Sequence, residues 1–311
     1  MSTSPTVESP RETHARGRAR AVRKRRDARA LALFTAPALV WFVVFMIGPL
    51  ISVFYLSLLE WPSFIFARKF VGVQNYLDLF QDPIFFTALK NSLIQVAVVL
   101  PIMMTLAFML GYFLSLRPRG HRILGVIFFT PALVSYPARA MMFLGLYHPE
   151  GIFNTFLSAV GLDALTTSWL ANGSTALMAV IAIDLWAGIG FTAVLFATRL
   201  AGIPEEIVEA AGLDGAGQWS KMWRIAFPVV RDFVGVLTML QFLWILLASA
   251  QNILLLTEGG PGNSSMTLAY LLYDQAFVSS QIGYSQAVGV FLFLFGLAGM
   301  LLIRRLFRAS Y

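Results

Sequence analysis

Cysteine is absent from the 311 residues, so the chain can form no disulfide and offers no thiolate to a metal. Histidine is nearly absent. His14, His121 and His148 are scattered, lack ligand spacing and read as loop residues, so no metal site is expected. A Gly-x-x-x-x-Gly-Lys-[Ser/Thr] loop is missing, which excludes a phosphate cradle of the chain's own; any ATP is handled elsewhere. Charge is thin as well: only 13% of residues are Asp, Glu, Lys or Arg, and they cluster between long uncharged runs. Apolar residues fill the sequence instead, 58% of it. That is far beyond what a soluble domain of this length carries, and it predicts an integral membrane protein.

The net charge of +7 resides mostly in residues 1–30, where nine Arg and Lys face three acidic side chains without apolar periodicity. This stretch reads as a disordered basic tail that either binds anionic lipid or simply fixes orientation. Residues 31–311 then supply six expected spans: 31–59, 91–116, 123–147, 173–197, 233–256 and 284–303. Lys and Arg gather in the tail, in 117–122, in 200–228 and after 303, whereas 148–172 and 257–283 have none. Positive residues stay in the cytoplasm, so both termini and residues 200–228 are expected inside. Within the third expected span lies Arg139, so either that span is shorter than it looks or Arg139 faces a cavity.

Between the fourth and fifth spans, residues 203–228 form the long polar interruption of the second half. Pro204 suits the first position of a helix with Glu205 and Glu206 in its first turn, where the helix dipole favours negative charge. Asp214-Gly215 can stop that helix at a corner. Trp219, Met222 and Trp223 then fall at helical spacing, and Pro228 is expected to end the second helix. DNA binding is excluded for this hairpin, because residues 199–232 carry four basic against five acidic side chains and are tethered to spans at both ends. A hairpin that merely packs on the membrane surface stays open on these grounds alone.

Glu209-Ala210-Ala211, three residues, Gly215, nine residues, then Ile225-Ala226-Phe227-Pro228 resembles the "EAA" loop of ATP-driven (ABC) importer permeases of the binding-protein-dependent kind; only Phe227 departs, standing where Leu is usual. The Leu213-Asp214-Gly215-Ala216 run, the stretch from Phe70 to Tyr76 and the Gly259-Gly260-Pro261 turn are similar to the sugar-type branch, that of the maltose and glycerol-3-phosphate systems. The resemblance implies an all-α fold of six transmembrane helices in the bacterial cell (inner) membrane, with a cytoplasmic coupling helix between helices 4 and 5. It implies no enzyme activity in this chain, with ATP-Mg bound by an ATPase subunit dimer, and as further partners a second permease subunit and a solute-binding protein. By the same resemblance Glu209, Ala210, Ala211, Gly215, Ile225 and Pro228 form the contact with the ATPase.

A membrane channel or a membrane-embedded enzyme is the competing class. An enzyme needs convergent catalytic groups in the spans, and Asp184 stands alone there; a channel leaves the hairpin unexplained. On the fifth span Thr238, Gln241, Trp244 and Ala248 or Ser249 share a helical face, so Gln241, Trp244 and Ser249, with Asp184, are candidates for a solute pathway. The same residues also suit interhelical polar contacts with a packing Trp, and Asp184 also suits a structural pair with Arg139.

Overall fold

The computed structural model describes residues 34–62 and 65–307, so the basic tail lies outside the described residues. The chain divides after Tyr55 into two units. The described residues of the first form a single helix, α1 (Phe34–Leu56, ending one residue past the division), whose apolar side chains are exposed on every side. A helix hydrophobic all round suits a lipid environment. Pro49 removes one backbone donor, and a π turn at Val43–Ile47 precedes it, with the Gly48 N–H reaching the Val43 carbonyl.

The second unit begins with a two-stranded antiparallel pair, β1 (Leu59–Glu60) and β2 (Lys69–Phe70), followed by the short helix α2 (Gln74–Leu79). Buried Asn75 ties them together by donating to the carbonyls of Ser57 and Leu59 at 2.8 and 2.9 Å. Next comes α3 (Pro83–Ser115), which starts eight residues before the span expected at Asn91. The cause is local: the Asp82 side chain accepts from the Ile84 N–H at 2.8 Å and Pro83 takes the first turn, an N-cap and N1 pair. At about 1.5 Å per residue such a helix outreaches the hydrocarbon core, which is why Lys90 is tolerated within it.

The third expected span is not one straight helix. It is α4 (His121–Leu133) and α5 (Tyr136–Leu146), bent by 97° at extended Val134 and Ser135. Pro137 sits in the first turn of α5, and Ser135 ahead of it is extended. Helix α6 (Ile152–Ala159) leads to α7 (Ala176–Leu200), α8 (Glu205–Leu213) and α9 (Gln218–Lys221), which continues through a π turn at Met222–Ala226 to Phe227–Val229. Pro228 therefore lies within the last helical turn, and the chain breaks at Val230 instead. Then come α10 (Arg231–Leu256), with a π turn at Trp244–Ala248, α11 (Leu268–Tyr273) and α12 (Ile282–Phe307).

Among the described residues five helices, α1, α3, α7, α10 and α12, are long and apolar enough to cross a membrane, with a sixth if α4 and α5 count as one broken span. At the centre of the second unit stands α7, which lies along α3 on one side and α4 on another and buries fourteen of its 25 residues. Close approach is possible because α7 is rich in small residues: a Cβ on Gly190 would fall 1.6 Å from the Phe128 carbonyl oxygen of α4.

Candidate functional site

Two places in the second unit bring together side chains that the sequence singled out. The first is the α8–α9 hairpin. Pro204 is the residue before α8 rather than its first helical one, and Glu205 and Glu206 occupy the first turn. The corner is closed by hydrogen bonds from Ala216 N–H to the Ala211 carbonyl and from Asp214 N–H to the Ala210 carbonyl, with Gly215 at φ +78°. This is a left-handed helix stop that a residue with a Cβ adopts poorly. After it, α9 is anchored by the Tyr112 hydroxyl, which donates to Gln218 Oε1 at 3.0 Å, and by Trp223 and Phe227, whose rings lie 5.3 and 5.5 Å from Phe108. Met222 and Ala226 are buried beneath, Ile225 is half-buried and Pro228 is exposed.

The faces of α8 are not those expected from its sequence. Only Ala211 is buried, whereas Ile207, Ala210 and Leu213 point outward, Leu213 with 91% of its surface exposed. Glu209 is exposed too, on the side of Val208 and Glu205, and with them it borders a 320 Å³ cavity against the ends of α3 and α7 that Arg117, Lys221 and Ile225 also line. From the sequence alone Ile207, Ala210 and Ala211 are expected to pack toward one side and Glu209 to project on the other; Ala211 does pack inward, whereas Ile207 and Ala210 do not. They face away because α8 rests on its neighbours through a narrow strip, Val208 and Ala211, one turn apart.

The second place lies in the bundle where α4 breaks. A cavity of 530 Å³ is lined by Tyr136, Arg139, Gly188, Phe191, Gln241 and Trp244 among others. Gln241 Nε2 donates to Thr192 Oγ1 at 2.9 Å, and the Thr192 hydroxyl donates to the Gly188 carbonyl at 2.8 Å. Of the four pathway candidates, Gln241 and Trp244 reach this cavity and Asp184 and Ser249 do not. Ser249 nonetheless faces α7 as Gln241 does: Gln241 bonds Thr192 and Ser249 bonds Asp184, eight residues farther along the same helix pair and beyond the cavity.

Asp184 and Ser249 meet instead in a buried polar cluster. Asp184 Oδ2 accepts from Gln95 Nε2 at 2.8 Å and from Ser249 Oγ at 2.5 Å, and Oδ1 accepts from Asn252 Nδ2 at 2.8 Å. All four side chains are buried, and the cluster joins α3, α7 and α10. A pair between Asp184 and Arg139 is not formed: among the described residues no ion pair connects them, and the carboxylate is satisfied by neutral donors. Gln95 is a functional neighbour that sequence reasoning passed over, although an amide inside the apolar run of α3 was a visible signal. Tyr136, whose ring lies under the Arg139 guanidinium, carried no such signal.

Residues 85–309 match the family described as binding-protein-dependent transport system inner membrane component. The diacetylchitobiose uptake system permease protein NgcF of Streptomyces coelicolor is 32% identical, over 83% of this chain and 76% of its own length. The multiple sugar-binding transport system permease protein MsmF of Streptococcus mutans is 31% identical, over 87% of this chain and 93% of its own. In fold, the chain is similar to a chain in the crystal structure of a bacterial ABC transporter involved in the import of the acidic polysaccharide alginate, with a TM-score of 0.79 at 21% identity over 93% of this chain and 98% of that one. A membrane-spanning helical bundle matched over most of its length in these ways is a transporter permease subunit rather than an enzyme, and the chain belongs to the family of binding-protein-dependent transport system inner membrane components.

Proposed function

We propose that this chain is one permease subunit of an ATP-driven importer for a sugar or sugar-like solute, and that the α8–α9 hairpin couples it to an ATPase. The observation that carries the reading is the hairpin itself: it holds the Glu209-Ala210-Ala211, Gly215 and Ile225 to Pro228 pattern, and it leaves Ile207, Ala210 and Leu213 exposed with Glu209 at a cavity rim. An exposed apolar strip beside an acidic side chain suits a cleft with an apolar floor and a cationic edge. The sugar class rests on the named systems of the relatives.

On this reading α4 and α5 together make one of six spans, and both termini and residues 200–228 are cytoplasmic by their charge. Residues 1–30 are a separate basic tail and 31–311 the permease domain. An ATPase dimer holding ATP-Mg docks on the hairpin, a second permease subunit completes the pathway, and a solute-binding protein delivers the solute on the other face. Closure of the ATPase dimer carries α8 with it. Because α9 is tied to α3 by the Tyr112 bond and to α10 through Val230, movement of the hairpin reaches the helices around the 530 Å³ cavity. Gln241 and Trp244 are the pathway contacts at that cavity; Asp184 and Ser249 support them by fixing α7 and α10.

The test is retention of the ATPase when both are expressed with their partner subunits, together with uptake by the purified complex in proteoliposomes. Wild type is expected to retain the ATPase and to hydrolyse ATP faster when loaded binding protein is present. Glu209→Ala is expected to weaken retention and abolish that stimulation while inserting normally. Unchanged stimulation in both Glu209→Ala and Gly215→Val would end the coupling reading.

A further inference from the structure

The cavity at the α4–α5 break holds a charge that simple sugar transport does not require. Arg139 is only 3% exposed, and two contacts hold it: a hydrogen bond from Nη2 to the Val134 carbonyl at 3.2 Å and the Tyr136 ring, 4.9 Å from its guanidinium carbon. Its Nε and Nη1 are buried without a hydrogen-bond partner. No carboxylate forms an ion pair with it among the described residues; Asp184, whose charge reaches it only from beyond ion-pair distance, is held by Gln95, Ser249 and Asn252.

A guanidinium stays charged throughout the range in which proteins fold, so it cannot escape the cost of burial by losing its proton. Two idle donors on a buried cation are costly until a partner arrives, and the ring face of Tyr136 offsets only part of that. Nε and Nη1 flank Nη2, whose second N–H is left over after the bond to Val134, so one edge of the guanidinium still offers two parallel donors, a fork that suits an oxyanion with two acceptor oxygens. The rest of the wall suits a sugar: Trp244 and Phe191 offer aromatic surface, and Gln241, whose Nε2 is taken by Thr192, has its carbonyl oxygen left to accept from a hydroxyl. At 530 Å³ the cavity lies within the span of about 300–1,000 Å³ typical of small-molecule sites.

We infer that Arg139 is a specificity-determining contact for a negatively charged group on the transported sugar, a carboxylate or a phosphate ester, which makes the solute an acidic saccharide. This rests on the transport reading above. It assigns Arg139 to the solute rather than to the fold.

The experiment uses the assembled complex of this chain with its partner permease and ATPase, in lipid nanodiscs and without binding protein. Three disaccharides that differ only at one C6 are the probes: cellobiose, its uronate and its 6′-phosphate. Wild type is expected to bind one of the two anions at least tenfold more tightly than cellobiose, the two anionic arms separating carboxylate from phosphate. Arg139→Gln should erase that preference, and Arg139→Lys, a point charge without the fork, should keep a fraction of it. Should Arg139→Gln not assemble, Arg139→Lys decides: a weakened but present preference supports the inference, and an unchanged one overturns it. Equal affinity for all three probes, no saturable binding of either anion, or a preference that survives Arg139→Gln also overturns it. Collapse of the complex in both variants would assign the charge to a carboxylate of the partner permease and overturn the inference equally. Proteoliposomes that still couple uptake of a neutral sugar to ATP hydrolysis would leave the transport reading standing in any of these cases, whereas a chain that recruits no ATPase takes both down.

Discussion

Helices α7 and α8 are neighbours in sequence and draw on the same small residues, yet they are held in opposite ways. Fourteen of 25 residues are buried in α7, and it contacts both α3 and α4 closely. In α8 one residue of nine is buried. Gly and Ala in α7 let neighbouring backbones come near; in α8 Ala211 alone packs inward, and Ala210 and Gly212 lie at the surface. Composition alone does not separate these two uses of a small side chain. The number of elements packed against it does.

The largest effect is expected where α7 is tied most firmly. Asp184→Ala leaves the Ser249 hydroxyl and Asn252 Nδ2 with no acceptor in a buried site and Gln95 with only Ser249 Oγ, at a cost of about 3 kcal/mol. Denaturation of the purified chain in mixed micelles measures it, and a loss below about 1 kcal/mol would mean that the cluster does not hold α7 to α10. Next is Gly190→Ala, which places a methyl against the Phe128 carbonyl and pushes α4 off α7, for about 2 kcal/mol by the same assay. On the other side of the comparison, Gly215→Val has open space around it but must adopt φ near +78°, which costs roughly 1–2 kcal/mol. Its stability loss should therefore be modest beside its loss of ATPase stimulation. Smallest is Glu209→Ala, expected within about 0.5 kcal/mol of wild type because the side chain is exposed. A Glu209→Ala chain destabilised as much as Asp184→Ala would erase the distinction between the two helices.

The spans were legible because each is a long apolar run, and most ends fall within a few residues of expectation. The start of α3 was missed because Lys90 and Asn91 break the apolar run, although Asp82-Pro83 is a helix-start signal that outranks them. The bend between α4 and α5 was not legible: Pro131 and Pro137 mark a weak point but do not set an angle of 97°. The hairpin pattern was fully visible, whereas the outward face of α8 was not, since an isolated amphipathic helix does not say which side its neighbours take. Ser249 shows the limit most clearly. A period of 3.6 residues leaves open whether Ala248 or Ser249 continues the Gln241 face, and the π turn at Trp244–Ala248, which nothing in those residues announces, sets Ser249 against Asp184.

The exposed strip of α8 also bears on how cells must make this protein. Ile207, Leu213 and the nearby Trp219 present 41%, 91% and 63% of their surface to solvent. Chaperones and proteases read such surface as a sign of an unfinished chain, so if the proposed ATPase covers this strip, a copy synthesised in excess of it would be marked for removal even though its own helices are folded. Matched synthesis of the subunits, rather than the intrinsic stability of this one, would then set how much of it the membrane keeps.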